Sequence, residues 1–192
     1  HVTEASVKVA SATSTESSTS PKTHPLKWTL RYANSRADYI RKNVRDYSCK
    51  LIKRERINGE LQKHQFIQVK MRCEQTDEND EHHPMAVFMK FLAPKTVKGR
   101  KVLYVDGQND GMMEVVKGGR AFRYVKLELD PEGRAARRES NYPITDVGFE
   151  KIIDRLTQRV SEAIKHDPKA LNTEVSHFRN AKVNDRECTH IR

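Results

Sequence analysis

The side chains whose types could do chemistry are few in this sequence, and their spacing serves them badly. His82 and His83 are adjacent, and neighbouring residues on a strand-like or loop backbone point apart, so the pair does not converge on one metal ion. Asp106 to Gly111 (DGQNDG) has the outline of a calcium loop, but Gln108 stands where an oxygen-rich Asp or Asn is needed. Lys117 stands where the bidentate Glu should be, so a hairpin tip is the better reading. Cys49, Cys73 and Cys188 lack CxxC spacing, which argues against a zinc site or a thioredoxin-like motif and for buried thiols. An odd count leaves at most one disulfide. There is no GxSxG, no HExxH and no Gly-rich phosphate loop. Glu55, Asp106, Glu114 and Asp130 could act as paired carboxylates if the fold brought two of them into one cleft, which spacing alone does not establish. No catalytic residue, metal or cofactor is assigned.

Positive charge, by contrast, is plentiful. The 192 residues carry a net charge of +10, with a pI near 9.6 and a mean hydropathy of −0.82. Such a balance predicts long-range attraction to polyanions: nucleic acid, anionic lipid head groups or acidic cell-wall polymers. The longest apolar runs fall far short of the roughly 20 residues of a membrane-spanning helix. Zinc-finger spacing, helix-turn-helix spacing and the aromatic strand motifs of single-strand binders are all missing, which makes nucleic acid the least favoured partner.

The elements that would position these groups follow from periodicity. Residues 1–22 are mostly Ser, Thr and Ala, too poor in large apolar side chains to offset their ordering entropy, so they read as a disordered leader or tether. The opening on His1 rather than Met fits removal of a signal peptide, another processing site or an artificial boundary equally, and Ser/Thr-rich stalks suit exported proteins. A single domain is expected over residues 23–192. Leu26, Leu30, Ala33, Ala37, Ile40 and Val44 recur at helical spacing behind Thr23 as N-cap. A second helix is expected after a cap at Thr145 or Asp146, with Phe149, Ile152, Ile153, Leu156, Val160 and Ile164 as its stripe and His166-Asp167-Pro168 as its end.

Between the helices the pattern turns to strands. DYSCKLIKRERINGELQKHQFIQVKMRCE is a hairpin about Asn58-Gly59. For Tyr47, Cys49, Leu51 and Ile57 to share a face with Leu61, Ile67, Val69, Met71 and Cys73, Ile57 must pair with Leu61 across a three-residue connection. That register gathers Lys50, Arg54, Arg56, His64, Lys70 and Arg72 on the opposite, wet face, where they could bind an anion. Met85 to Val116 supplies three more short apolar runs, broken by Pro94 and Gly99 and then by Asn109-Asp110-Gly111. Gly118-Gly119 precedes a strand in AFRYVKLELD, Asp130-Pro131-Glu132-Gly133 is a type I turn, and the C-terminal segment is a hairpin about Asn184-Asp185. The predicted fold class is α+β: a curved antiparallel sheet or incomplete β-barrel packed on two amphipathic helices, its last strand running to the end of the sequence.

Four blocks, DYSCKLIKRERINGEL, VFMKFLAPKTVKGRKVLYVDGQNDG, NYPITDVG and DRECTHI, resemble the exported bacterial family of domain of unknown function 1571 over residues 26–192. Members of that family typically continue past the point where this sequence ends, and no active residues carry over. The architecture is distantly similar to the periplasmic lipoprotein carrier and its outer-membrane acceptor, which hold acyl chains between an incomplete barrel and its helices. By that analogy the ligand cavity would be lined by Val87, Met89, Phe91, Leu103, Val105, Met113, Val125 and Leu127, the methionines adapting to irregular lipid shapes; equally, these residues could fill an ordinary core. The expected function is a non-enzymatic, extracytoplasmic, periplasmic binder of a lipid or a lipidated protein. The alternative is a polyanion or cell-envelope interaction module without a cavity, working through Lys50, Arg54, Arg56, Lys70 and Arg72.

Overall fold

The computed structural model describes residues 23–119 and 125–192. Its core is a six-stranded antiparallel sheet that stays open and does not close into a barrel, accompanied by helices, so the fold class is α+β. The leader 1–22 and the start of the expected AFRYVKLELD strand lie outside the described residues. Two compact units are present: Ala37–Ile153, and the residues up to Arg36 together with Asp154–Arg192.

The first unit holds the large sheet. Its strands are β1 (Asp46–Lys53), β4 (Gln65–Arg72), β7 (Ala86–Ala93), β8 (Lys101–Val105), β9 (Met113–Val116) and β10 (Lys126–Leu129), and they lie side by side in that order. The short β2 (Arg56–Ile57) and β3 (Glu60–Leu61) form the tip beyond β1 and β4, and β5 (Gln75–Thr76) and β6 (His82–His83) form a small separate hairpin.

At the tip, the register departs from expectation. Ile57 pairs with Glu60 and Arg56 with Leu61, across a two-residue turn in which Asn58 and Gly59 both have positive φ. The sheet body nevertheless keeps the register demanded by a shared apolar face, with Leu51 opposite Ile67, Cys49 opposite Val69 and Tyr47 opposite Met71. These two registers differ by one residue, and the surplus is taken up between Gln62 and Gln65, opposite Arg54. Asn-Gly dictates the tight turn, the hydrophobic face dictates the body, and a local irregularity reconciles them.

One sheet face is the core. Ile67, Val69, Met71, Val87, Met89, Phe91, Val102, Tyr104, Met113 and Val115 are buried there, with Leu127 and Leu129 at the β10 end. Ile144, Val147 and Ala136 pack against it from the segment that contains the one-turn helix α2 (Arg134–Arg137) and the 3-10 turn Ile144–Asp146. That segment is fastened by polar contacts: Lys53 Nζ donates to Ser140 Oγ at 3.0 Å, and the Asn141 N–H donates to Glu55 Oε2 at 3.0 Å. Arg100 meets Glu139 at 2.6 Å, and this hydrogen bond holds the Glu139 carboxyl below the usual glutamate range.

Two glycines are fixed by crowding. A Cβ at Gly118 would lie 2.1 Å from the Lys98 carbonyl oxygen, so the chain there can approach the β7–β8 loop only without a side chain. Gly148 has φ of 137° and a Cβ would sit 3.0 Å from Met71 Cε, which accounts for the glycine that ends NYPITDVG. Directly after it α3 (Phe149–His166) begins. Its N-terminus is capped from another element: the Phe149 N–H donates to the Tyr47 phenol oxygen at 3.1 Å, and the two rings stack at 4.7 Å. Thr145 and Asp146, the expected caps, belong to the preceding 3-10 turn. Burial pushes the Tyr47 phenol above its ordinary pKa.

In the second unit, the hairpin β11 (His177–Val183) and β12 (Arg186–Ile191) turns at Asn184-Asp185, both at positive φ, as the sequence predicts. Helix α1 (Leu26–Asn43), whose residues up to Arg36 belong here, has one of its first-turn N–H groups met by His24. His24 Nδ1 accepts the Leu26 N–H at 3.2 Å, so the proton sits on Nε2, which reaches the Asp167 carbonyl oxygen at 3.0 Å. Trp28 meets His177 edge-on at 4.3 Å. The Asp167 side chain accepts the N–H groups of Asn172 and Leu171, which lowers its pKa and shapes the loop that follows α3. Along α3 itself, Val160 is buried and Ile153 and Ile164 are half-buried, but Phe149, Ile152 and Leu156 of the expected stripe are exposed.

Candidate functional site

The sheet face opposite the core carries the groups of interest, because strand alternation sends every second side chain there. Antiparallel pairing aligns one row across all six strands: Lys50, Gln68, Lys90, Lys101, Val116 and Lys126. At ordinary interstrand spacing this row is about 24 Å long. Lys50, Lys90 and Lys101 are exposed, and so is Lys70 in the adjacent row. No ion pair is made by these four lysines among the described residues. Lys90 and Lys101 face each other directly, an arrangement that costs roughly 0.2–1 kcal/mol in a sheet. Only at the β10 end is the row neutralised, where Lys126 pairs with Glu114 and its ammonium is held above its ordinary pKa by that contact.

Apolar side chains flank the row on both sides. Ile52 lies opposite Phe66, with Leu92 close by, on one side; on the other Phe88 lies opposite Leu103. Ile52 is 45% exposed and Leu103 38%, while Phe66, Phe88 and Leu92 are half-buried. Ser48, Cys49, Lys50, Gln68 and Leu92 line a shallow, open depression of about 450 Å³ within this surface.

The expected basic face is thus partly redrawn. Lys50 and Lys70 lie where the alternation puts them. Arg72 shares their face but is half-buried, with Nε donating to the Pro84 carbonyl at 3.0 Å. Arg54 and Arg56 stand beyond the large sheet and are spent on the tip, donating to the carbonyls of Gln62 (3.0 Å) and Gly59 (2.7 Å). Lys90 and Lys101 were overlooked in the sequence, although each stands out as the lone charge within, or at the start of, an apolar strand.

The proposed cavity lining divides as well. Val87, Met89, Phe91 and Met113 are buried on the core face and Leu127 is half-buried there, so five of the residues come together. Leu103 and Val105 lie on the opposite face, because Met89 pairs with Val102 and Val87 with Tyr104, and that register sends the odd residues of β8 outward. Val125 precedes β10 and is 41% exposed. Burial raises the pKa of both the Cys49 and the Cys73 thiol, and all three cysteines are free thiols.

The acidic hairpin holds a possible ligand set. Asp77, Glu81 and His83 bring one donor atom each within 4.8 Å of one another. Hydrogen bonding explains that arrangement: Asp77 accepts the N–H groups of Glu81 and Asn79 at 2.9 Å and meets His83 Nε2 at 3.3 Å. His82 turns the other way, to Glu74 at 3.1 Å, as adjacent residues on a strand should.

An open antiparallel sheet with one packed face and one cationic face defines the class of this protein. The chain belongs to the family described as protein of unknown function (DUF1571), whose model matches residues 44–192 and so takes in the whole sheet and both C-terminal strands. No curated protein and no solved structure matches it.

Proposed function

We propose that this protein is a non-enzymatic, extracytoplasmic interaction module that holds an anionic component of the cell envelope on the outer face of its sheet. The observation that carries this reading is the lysine row, without an ion pair among the described residues: Lys50, Lys90 and Lys101 aligned across the strands, with Lys70 beside them. A fold that sets Lys90 against Lys101 without a carboxylate between them gives up stability that an anionic partner restores. The net charge of +10 adds long-range steering toward such a partner. The Ser/Thr-rich leader and the exported relatives that the sequence resembles support the extracytoplasmic setting.

A carrier holding an acyl chain within the fold would draw on the other face. There Ile67, Val69 and Val87 are at most 2% exposed, and a chamber wide enough for an acyl chain would leave its walls accessible. The support therefore favours the outer face.

The test is charge reversal. Lys90→Glu/Lys101→Glu changes the charge of the row by four units and, at about 1 kcal/mol for each, should weaken binding to an anionic probe at least a hundredfold. Wild-type binding should also fall steeply between low and physiological salt. Affinity indifferent to both would remove the basis of the reading.

A further inference from the structure

The lysine row lies between two apolar borders, and that pattern says more than charge alone. Resting on the outer-face reading above, the geometry points to the interface of an anionic lipid bilayer as the occupant of this surface. Ile52, Phe66 and Leu92 border the row on one side, Phe88 and Leu103 on the other. On the wet side of an antiparallel sheet these positions are ordinarily polar. A soluble, hydrated polyanion gains nothing from exposed Ile52 and Leu103, whereas a bilayer accepts both kinds of side chain at once.

Lysine stems lie along apolar surface while their ammonium groups reach the phosphate level, and the shorter apolar side chains beside them enter the acyl boundary. The row crosses all six strands, and its exposed ammonium groups without an ion pair among the described residues lie on β1, β7 and β8. Glu114 and Glu128 oppose each other at the β9–β10 end, and Asp46 sits opposite Arg72 at the far end of β1. Glu114 also lies opposite Leu103, where Lys126 neutralises it, and contact centres on β1, β4, β7 and β8. The depression lined by Ser48, Lys50 and Gln68 offers a hydroxyl, an ammonium and an amide to one head group.

The experiment is sedimentation of the full chain with phosphatidylglycerol-containing vesicles and with pure phosphatidylcholine vesicles, alongside binding to soluble heparin. Two variants are compared, each checked for a thermal transition no lower than that of the wild type: Ile52→Ser/Leu103→Ser and Lys90→Gln/Lys101→Gln. Wild type should bind the anionic vesicles and leave the neutral ones. Ile52→Ser/Leu103→Ser should weaken vesicle binding about tenfold and leave heparin binding unchanged. Lys90→Gln/Lys101→Gln should weaken both, about thirtyfold for vesicles. If Ile52→Ser/Leu103→Ser binds vesicles as well as wild type does, the bilayer is the wrong occupant, although the cationic face keeps its role. If Lys90→Gln/Lys101→Gln changes neither, the cationic face itself is overturned.

Discussion

The two faces of one sheet, built from the same strands, follow different rules. On the inner face each lining residue is matched to its neighbours across the strands: Cys49, Val69, Met89, Val102 and Val115 form one continuous apolar row. One register step away, on the outer face, the row reads Lys50, Gln68, Lys90, Lys101, Val116. The first row satisfies itself, while the second leaves like charges opposed and apolar side chains in water. A face that folding does not need in this form is the one free to be shaped by a partner. Stability and binding should therefore separate by face.

The largest effect expected on that comparison is from the core. Ile67→Ala should destabilise by about 3 kcal/mol in urea unfolding, since the site is closed on all sides, while affinity for anionic vesicles per folded molecule stays the same. Loss of both together would break the division between the faces. Next comes Tyr47→Phe, which keeps the ring against Phe149 but removes the acceptor for its N–H. A cost of about 1 kcal/mol is expected, read as a lower thermal transition and faster amide exchange in the first turn of α3.

Smaller, and opposite in sign, is Lys101→Glu. It replaces a cross-strand repulsion from Lys90 with an attraction, so stability should rise by a few tenths of a kcal/mol even as anion binding falls. A mutation that stabilises the fold and weakens the ligand would sharpen the contrast most. The smallest effect is confined to the acidic hairpin. The N–H of Glu81 and the His83 ring together hold the Asp77 carboxyl below the usual aspartate range. A lowered folded-state pKa means that this contribution is complete above the unfolded value, about pH 4, and is lost as pH falls through the folded one. Amide resonances of Asn79 and Glu81 should shift only on that acid limb, with the sheet strands unmoved.

Much of the fold was legible because its signals are local. Alternation marks β1, β4 and β7, Asn58-Gly59 marks the tip between β1 and β4 and Asn184-Asp185 the turn between β11 and β12, and 3.6-residue stripes mark α1 and α3. What was missed depends on contacts made at a distance. The face taken by Leu103 and Val105 turns on how the Pro94–Arg100 loop sets the pairing of β7 with β8, and one residue in that register exchanges the faces. Capping of α3 by Tyr47 joins residues about a hundred positions apart, so Thr145 and Asp146 were the natural local choice. The site followed the same pattern: Lys50 and Lys70 could be placed from one hairpin, but the row through Lys90 and Lys101 emerges only when four strands are laid side by side. Arg54 and Arg56 looked free in sequence and are bound to the tip carbonyls in space.

The central claim is most directly tested by residue-resolved acylation of lysines with and without phosphatidylglycerol vesicles, read by mass spectrometry. The account predicts that Lys50, Lys70, Lys90 and Lys101 lose reactivity together, while Lys151, in the first turn of α3, keeps its own. Protection spread evenly over the surface, or centred on α3 with the sheet lysines still reactive, would contradict it.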